Sequence, residues 1–415
     1  MTTRIPSCRL ASQDVLAAIR KMQDADVEWQ RGRIFNMVSP QSEGDLDRLL
    51  KDAYLSCFYQ NGLSPEAYPS LARMQREVVQ MTADLLGHPG APGDLTSGGS
   101  ESNFLAVKTA RDRARAERPD ISKPEIILPA SAHPSLSKAA HYLGLKEVRV
   151  PVDDGQQADV ERMKQAIGPN TIVMVGSAPS WPHGIVDPIE DLAALAKREG
   201  IMLHVDACVG GFVLPFAKRL GRSVPPFDFS VAGVTSMSAD IHKFGYAPKG
   251  ASVILYRDEE MYNFQLFTFD NWTGGTYSVP TFPGSRPGGA IAAAWAALNF
   301  LGFPGYLEMT ETCLKTTERL IEGIRSIRGL FVLGNPQYNL FAFESCDAQI
   351  GAIWTGMRQY GWRIGLQGKP PTSLHLTVAP SHARVVEEFL EDLKKTVESG
   401  ASGDIAASAT VARYN

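Results

Sequence analysis

The chain has 415 residues, 44% of them hydrophobic and 21% charged, with a formal net charge of −4. That length is ample for a large core plus a smaller companion domain, and the charge supplies no global basic field for nucleic acid or an anionic membrane. The five cysteines, Cys8, Cys57, Cys208, Cys313 and Cys346, are odd in number and lack CxxC spacing, which argues against a disulfide framework or zinc site and fits a reducing cytoplasm.

Met1-Thr2-Thr3-Arg4-Ile5-Pro6 has no hydrophobic signal core. Residues 10–31 place apolar and charged positions at helical spacing and predict an amphipathic helix. Residues 32–70 hold Pro40, Gly44, Gly62, Pro65 and Pro69 and read as an irregular arm. A helix is predicted over 71–86, stopped near Gly87. Strands are then predicted at 125–129, 147–151, 171–176, 201–207, 230–235 and 251–256. Helices are predicted at 102–118, 135–144, 160–167 and 189–199. This alternation implies βα units and a mainly parallel sheet. Two long helices, 288–300 and 306–328, lead to strands at 338–344 and 373–379 and a helix at 383–399. The Ala/Ser-rich tail after Gly400 is expected to fray. No apolar uncharged run of roughly 18 residues is recognised, so no membrane span is predicted. The resulting division is an N-terminal helix and arm (1–70), a large domain (71–305) and a small C-terminal domain (306–415).

Within Ser238-Ala239-Asp240-Ile241-His242-Lys243-Phe244-Gly245, one lysine follows a histidine in a small-residue loop. Upstream, an apolar run ends on Asp206. A lysine that forms a Schiff base with pyridoxal 5′-phosphate (PLP) needs an acid fixed at the pyridine nitrogen, and the end of a parallel strand provides such a place. Thr96-Ser97-Gly98-Gly99-Ser100-Glu101-Ser102 precedes a helix, where small residues and free N–H groups suit a phosphate. His133, just past a strand, could stack on the pyridine ring. Each residue also has a plainer reading. Lys243 could be a solvated surface lysine, Asp206 a helix cap, His133 a loop histidine bonded to backbone, and the glycine-rich segment a flexible loop. Lys249 could be a second anion ligand or a turn lysine. His204 reads as packing beside its strand. The remaining histidines show no metal-ligand spacing, and no metal is expected.

Taken together, these segments resemble the sphingosine-1-phosphate lyase family of PLP-dependent enzymes, whose wider relatives are the group II amino-acid decarboxylases. His204-Val205-Asp206-Ala207-Cys208-Val209-Gly210-Gly211-Phe212, the lysine segment through Lys249-Gly250, and Gly274-Gly275-Thr276-Tyr277 carry the resemblance with the glycine-rich loop. The decarboxylases tend to have a proline before His-Lys and a tryptophan after it; Ile241 and Phe244-Gly245-Tyr246 follow the lyase pattern. The resemblance implies an α/β type I PLP-dependent fold (aspartate aminotransferase-like), with a mainly parallel seven-stranded sheet in the large domain and a smaller α+β C-terminal domain. It implies a homodimer with shared active sites. Lys243 would carry PLP, Asp206 would protonate its ring nitrogen, and His133 would stack on it. Gly99 and Ser100 would bind the phosphate, with Ser238 and His242 nearby and Gly275 and Thr276 approaching from the partner chain. Tyr277 would be an active-site tyrosine, Lys249 the substrate-phosphate lysine, and Asn61 part of the substrate-binding arm.

Two departures concern the substrate. Asn61-Gly62-Leu63-Ser64 stands where the family has Asn-Pro-Leu-His, and Gly32-Arg33-Ile34-Phe35 aligns Phe35 with a family tyrosine. Both lost side chains help bind the substrate phosphate in the family. The implied activity is retro-aldol cleavage of a phosphorylated amino alcohol such as sphingosine-1-phosphate to a fatty aldehyde and phosphoethanolamine, with Lys243 or Tyr277 as base. The alternatives are amino-acid decarboxylation, a lyase acting on an unphosphorylated β-hydroxy amine, and a non-catalytic binding protein.

Overall fold

The structure, a computed structural model, describes residues 4–37, 44–181, 183–368 and 371–401. Pro40 of the arm and the tail beyond Ala401 lie outside the described residues. The N-terminal helix α1 (Ser12–Gln23) buries none of its residues. It is shorter than predicted, and a separate single turn follows at Trp29–Arg31. The arm contains a full helix, α2 (Gly44–Ser56), where irregular chain was expected. Its glycine and proline neighbours obscured the i, i+3, i+4 spacing of Leu46, Leu49 and Leu50. α3 (Pro69–Leu85) opens with proline at its first position, where the missing N–H costs nothing.

The large sheet then builds as β1 (Gly93–Thr96), α4 (Gly99–Glu117), β2 (Glu125–Pro129), α5 (Pro134–Leu143), β3 (Lys146–Val150), α6 (Val160–Ala166), β4 (Thr171–Ser177), α7 (Ile189–Glu199), β5 (Met202–Asp206), α8 (Leu214–Arg219), β6 (Ser236–Ala239) and β7 (Ser252–Tyr256). The strand order is β1-β7-β6-β5-β4-β2-β3. β7 is antiparallel to both neighbours, and the other pairings are parallel. β4 and β5 are buried at every position, as strands covered on both faces must be. α7 shows why these helices form where they do. Glu190 and Asp191 lie in its first turn, Lys197 and Arg198 in its last, and Gly200 closes it in the left-handed conformation.

Two strands of the large sheet depart from expectation. β1 was not anticipated, because Gly-Asp-Leu-Thr has little strand propensity; it forms by pairing with β7 at the sheet edge. The strand expected at 230–235 is β6, at Ser236–Ala239. Residues 228–233 are turns and bends instead, with the Asp228 carboxylate accepting from the Ser230 N–H and hydroxyl.

α9 (Glu259–Asn263) leads into a hairpin of β8 (Phe267–Phe269) and β9 (Tyr277–Val279). α10 (Gly288–Ser326) follows, kinked at Gly302 just before Pro304. It packs on α2 and α3. From Gly288 to Leu307 it has no charged side chain, which corrects the expectation that no such run exists. By length and composition alone it could cross a membrane. Its apolarity has a local cause: Ile291–Ala294 and Ala296–Leu298 join the main hydrophobic core.

The small sheet holds β10 (Leu330–Val332), β11 (Leu340–Ser345), β12 (Gly365–Gln367) and β13 (Ser373–Thr377), all antiparallel, with α11 (Ile350–Gln359) and α12 (Val386–Ala401) beside it. Phe35 belongs to this second core. It is fully buried, stacks on His382 at 3.9 Å, and packs against Trp362 and Phe389. Its flanking backbone bonds to Arg363 and Thr377. Phe35 therefore offers no phosphate ligand within this chain; its ring is core packing.

Four buried histidines make the fold acid-sensitive. Burial lowers His183, His204 and His382 to about 4 and His375 to about 3, against an ordinary value of about 6.5. They are neutral when folded and bind protons first when unfolded. Their stabilisation is complete above about pH 6.5 and is lost as pH falls toward 4, at about 1.4 kcal/mol per pH unit for each histidine. Asp94 and Asp187, which burial raises to about 6 and about 7, act in the opposite sense but are fewer. Calorimetry is expected to give a clearly lower Tm at pH 5 than at pH 7.5. An unchanged or higher Tm at pH 5 would contradict this balance.

Candidate active site

A cavity of about 400 Å3 opens where β2, β4, β5 and β6 end and α4 begins. Strand ends in an open α/β sheet are where such a crevice forms. Asp206 is the last residue of β5 and is buried. Its Oδ2 accepts from Asn103 Nδ2 at 3.0 Å, and its Oδ1 accepts from the Cys208 N–H at 3.0 Å. Burial pushes this carboxyl up, but His133, Lys243, His204 and the Cys208 bond together hold it below the usual carboxylate range. It is an anion inside the protein, ready to hold a proton on a facing nitrogen.

A polar network fixes that anion. Asn103 Nδ2 also donates to Ser135 Oγ at 2.9 Å. Asn103 Oδ1 accepts from Ser238 Oγ at 2.9 Å and faces His204 Nε2 at 3.1 Å. Because that oxygen can only accept, His204 carries its proton on Nε2, and its Nδ1 accepts from the Ser236 hydroxyl at 2.9 Å. His204 thus orients Asn103, which orients Asp206. Ser238, expected near the cofactor phosphate, does not line the cavity; it supports this network from below.

His133 caps α5. Its Nδ1 accepts from the Ser135 N–H at 3.2 Å, which leaves the ring proton on Nε2. Burial lowers its pKa, so the ring is neutral and flat against the cavity. Trp181 meets it edge to face at 6.3 Å. Lys243 Nζ lies 2.9 Å from Asp240 Oδ2. His242 lines the same wall, and its Nδ1 accepts from the Ala251 N–H at 3.1 Å.

The start of α4 forms the third wall. At Gly99, an added Cβ would come within 2.6 Å of Cys208 Sγ and 2.8 Å of both Asp240 oxygens, so only glycine fits. Glu101 braces the loop before it. One carboxylate oxygen accepts from the Ser97 N–H and hydroxyl at 2.7 and 2.6 Å, and the other accepts from the Phe282 N–H at 2.9 Å.

The other predicted residues are elsewhere in the chain. Asn61 is structural: its side chain bonds Ser285 Oγ and the N–H groups of Leu63 and Arg286, tying the arm to the start of α10. Neither Asn61 nor Ser64 lines the cavity. Gly275 and Thr276 are exposed in the hairpin loop just before β9, and Tyr277 packs edge-on against Phe267 and Trp272. Lys249 is exposed, donates to the His242 carbonyl at 3.0 Å, and has its pKa lowered to about 8 by crowding protein atoms and the Lys243 charge. Sequence reading passed over Asn103, Asp240 and Trp181, and assigned His204 to packing. Two of these carried a signal. His204 lies two residues before Asp206 on one strand face, and Asn103 lies one turn into the helix from Gly99.

A buried anion for a ring nitrogen, a flat neutral imidazole, an amine and a helix start that excludes Cβ match PLP part by part. The class defined by fold and site is the PLP-dependent enzymes of the type I fold. The pyridoxal-dependent decarboxylase conserved domain matches residues 4–345. A sphingosine-1-phosphate lyase of Oryza sativa subsp. japonica is 45% identical, over 96% of this chain and 75% of that protein. One from Arabidopsis thaliana is 44% identical, over 93% and 72%. The solved sphingosine-1-phosphate lyase of Burkholderia pseudomallei superposes with a TM-score of 0.92 at 37% identity, over 97% of this chain and 94% of that one. The chain belongs to the sphingosine-1-phosphate lyase family and is a PLP-dependent lyase.

Proposed function

We propose that this enzyme cleaves the Cα–Cβ bond of a phosphorylated long-chain amino alcohol, such as sphingosine-1-phosphate, to a fatty aldehyde and phosphoethanolamine. The observation that carries the reading is Asp206, held as a buried anion by Asn103 and the Cys208 N–H. Bound PLP supplies an electron sink for a bond beside the substrate amine. Asp206 keeps a proton on the ring nitrogen, and His133 covers the ring face and keeps water away. Lys243 Nζ, once exchanged for the substrate amine, is the base for the β-hydroxyl proton. Lys249 supplies the cation for the substrate phosphate.

We further read the protein as a homodimer in the cytoplasm. Phe267, Phe269, Trp272 and Phe282 are exposed around the β8–β9 hairpin, and Val15, Leu16, Ile19 and Met22 form an exposed stripe on α1. Surfaces of this kind suit a second copy, whose Gly275, Thr276 and Tyr277 would complete the neighbouring cavity. All five cysteines are free, which suits a reducing compartment. α10 is read as a core helix, not a span.

The test is aldehyde release from sphingosine-1-phosphate. Lys249→Ala is expected to raise KM about 10–100-fold, the scale of one charge-assisted hydrogen bond, with kcat little changed. Carbon dioxide from an amino acid, with no aldehyde from sphingosine-1-phosphate, would replace this reading with decarboxylation.

A further inference from the structure

Ser135, the second residue of α5, is buried in the cavity wall and joins His133 to Asp206 by way of Asn103. Its Oγ lies 2.9 Å from Asn103 Nδ2 and 2.8 Å from His133 Nδ1. Asn103 Nδ2 also reaches Asp206 Oδ2, at 3.0 Å. These contacts have one consistent direction. An ionised carboxylate only accepts, so the Asn103 group facing Asp206 is its NH2. The second N–H of that amide goes to Ser135, whose oxygen accepts it. The Ser135 hydroxyl hydrogen is left for His133 Nδ1. The Ser135 backbone N–H points at the same nitrogen, at 3.2 Å. Two donors converge on Nδ1, and the ring proton belongs on Nε2.

The direction matters because His133 stands in a mixed field. Burial opposes an imidazolium there, Asp206 at the end of β5 favours it, Lys243 opposes it and Asp240 favours it. Trp181, which meets the ring edge to face, adds no charge. Protonation of Nδ1 would set an N–H against both Ser135 donors and lose both bonds. An imidazolium over the cofactor ring would also repel the proton that Asp206 keeps on the ring nitrogen.

Resting on the reading of His133 as the residue over the PLP ring, we propose that Ser135 is a positioning residue for the lyase reaction: its hydroxyl holds His133 as the neutral Nε2–H tautomer, which leaves Asp206 to govern the ring-nitrogen proton. One amide, Asn103, serves both ends, so the anion at the ring nitrogen and the tautomer at the ring face are set together.

The experiment is 15N magnetic resonance of the full-length, cofactor-free protein labelled at histidine, from about pH 5 to about pH 8, on wild type, Ser135→Ala and Ser135→Thr. His133→Gln assigns the signal. Wild type is expected to show Nδ1 without a proton and Nε2 with one wherever the ring is neutral. In Ser135→Ala, which loses one donor to Nδ1, His133 is expected to bind a proton about three- to tenfold more readily, a rise of about half to one pH unit in its titration. Ser135→Thr keeps the hydroxyl and is expected to restore the wild-type titration. With PLP bound, the acid limb of kcat for aldehyde release is expected to move up by the same amount in Ser135→Ala, with KM little changed. An Nδ1–H tautomer in wild type, or the same titration in Ser135→Ala and wild type, overturns the proposal. A shifted titration with an unmoved acid limb overturns it as well, through the placement of His133 over the ring. No aldehyde from wild type, with the histidine result as expected, would end the sphingosine-1-phosphate reading while supporting the role of Ser135.

Discussion

Replacing Lys243 by alanine is expected to abolish the yellow absorbance of the PLP-loaded protein and to lower turnover by at least about 10^4-fold, the scale on which removing a covalent nucleophile acts. Two features of the site make the effect large. Lys243 Nζ stands in the wall of the cavity that the glycine-rich helix start also lines. Lys249, the next lysine along the loop, is exposed and does not line the cavity, so it is not placed to substitute. The measurement is an absorbance spectrum beside an aldehyde assay. Unbound cofactor and no aldehyde are expected; an unaltered spectrum with retained turnover would move the covalent role to another residue.

Asp206→Asn is the second large effect. The amide is nearly isosteric and can keep the Cys208 bond, so circular dichroism is expected to match wild type. What disappears is the charge that keeps a proton on the ring nitrogen. Removing one member of a buried charge-assisted pair costs about 3–5 kcal/mol, which corresponds to about 10^2–10^4-fold in turnover. PLP affinity should fall as well. Turnover within tenfold of wild type would show that the ring nitrogen does not depend on this carboxylate. Asp206→Glu lengthens the side chain by one methylene in a site fixed by Asn103, and is expected to recover only part of the loss.

What could be read from the sequence follows from how local each signal is. The βα alternation, Asp206 at a strand end and the loop before α4 are consequences of short-range patterning, and each is visible in a window of about ten residues. Asn103 is different. It serves Asp206 across 103 positions of chain, and only the packed sheet brings the two together. Asp240 stood in the quoted lysine segment, but its importance lies in facing Gly99, a contact between distant loops. Phe35 shows a long-range role that the sequence hid. Alignment to a tyrosine marked it only as a lost phosphate ligand, whereas its backbone bonds to the small domain and its ring is buried in that domain's core. Asn61 likewise looked like a ligand because of its motif, and its donors and acceptors are spent on the chain itself.

Every described residue lining the cavity falls between Ser97 and Lys243. The apparatus for one prosthetic group is therefore inherited as a single contiguous block of chain. The arm, the hairpin and the small domain contribute nothing to that wall within one chain. Selection can rewrite those outlying segments, and with them the choice of reactant, while the block passes on intact.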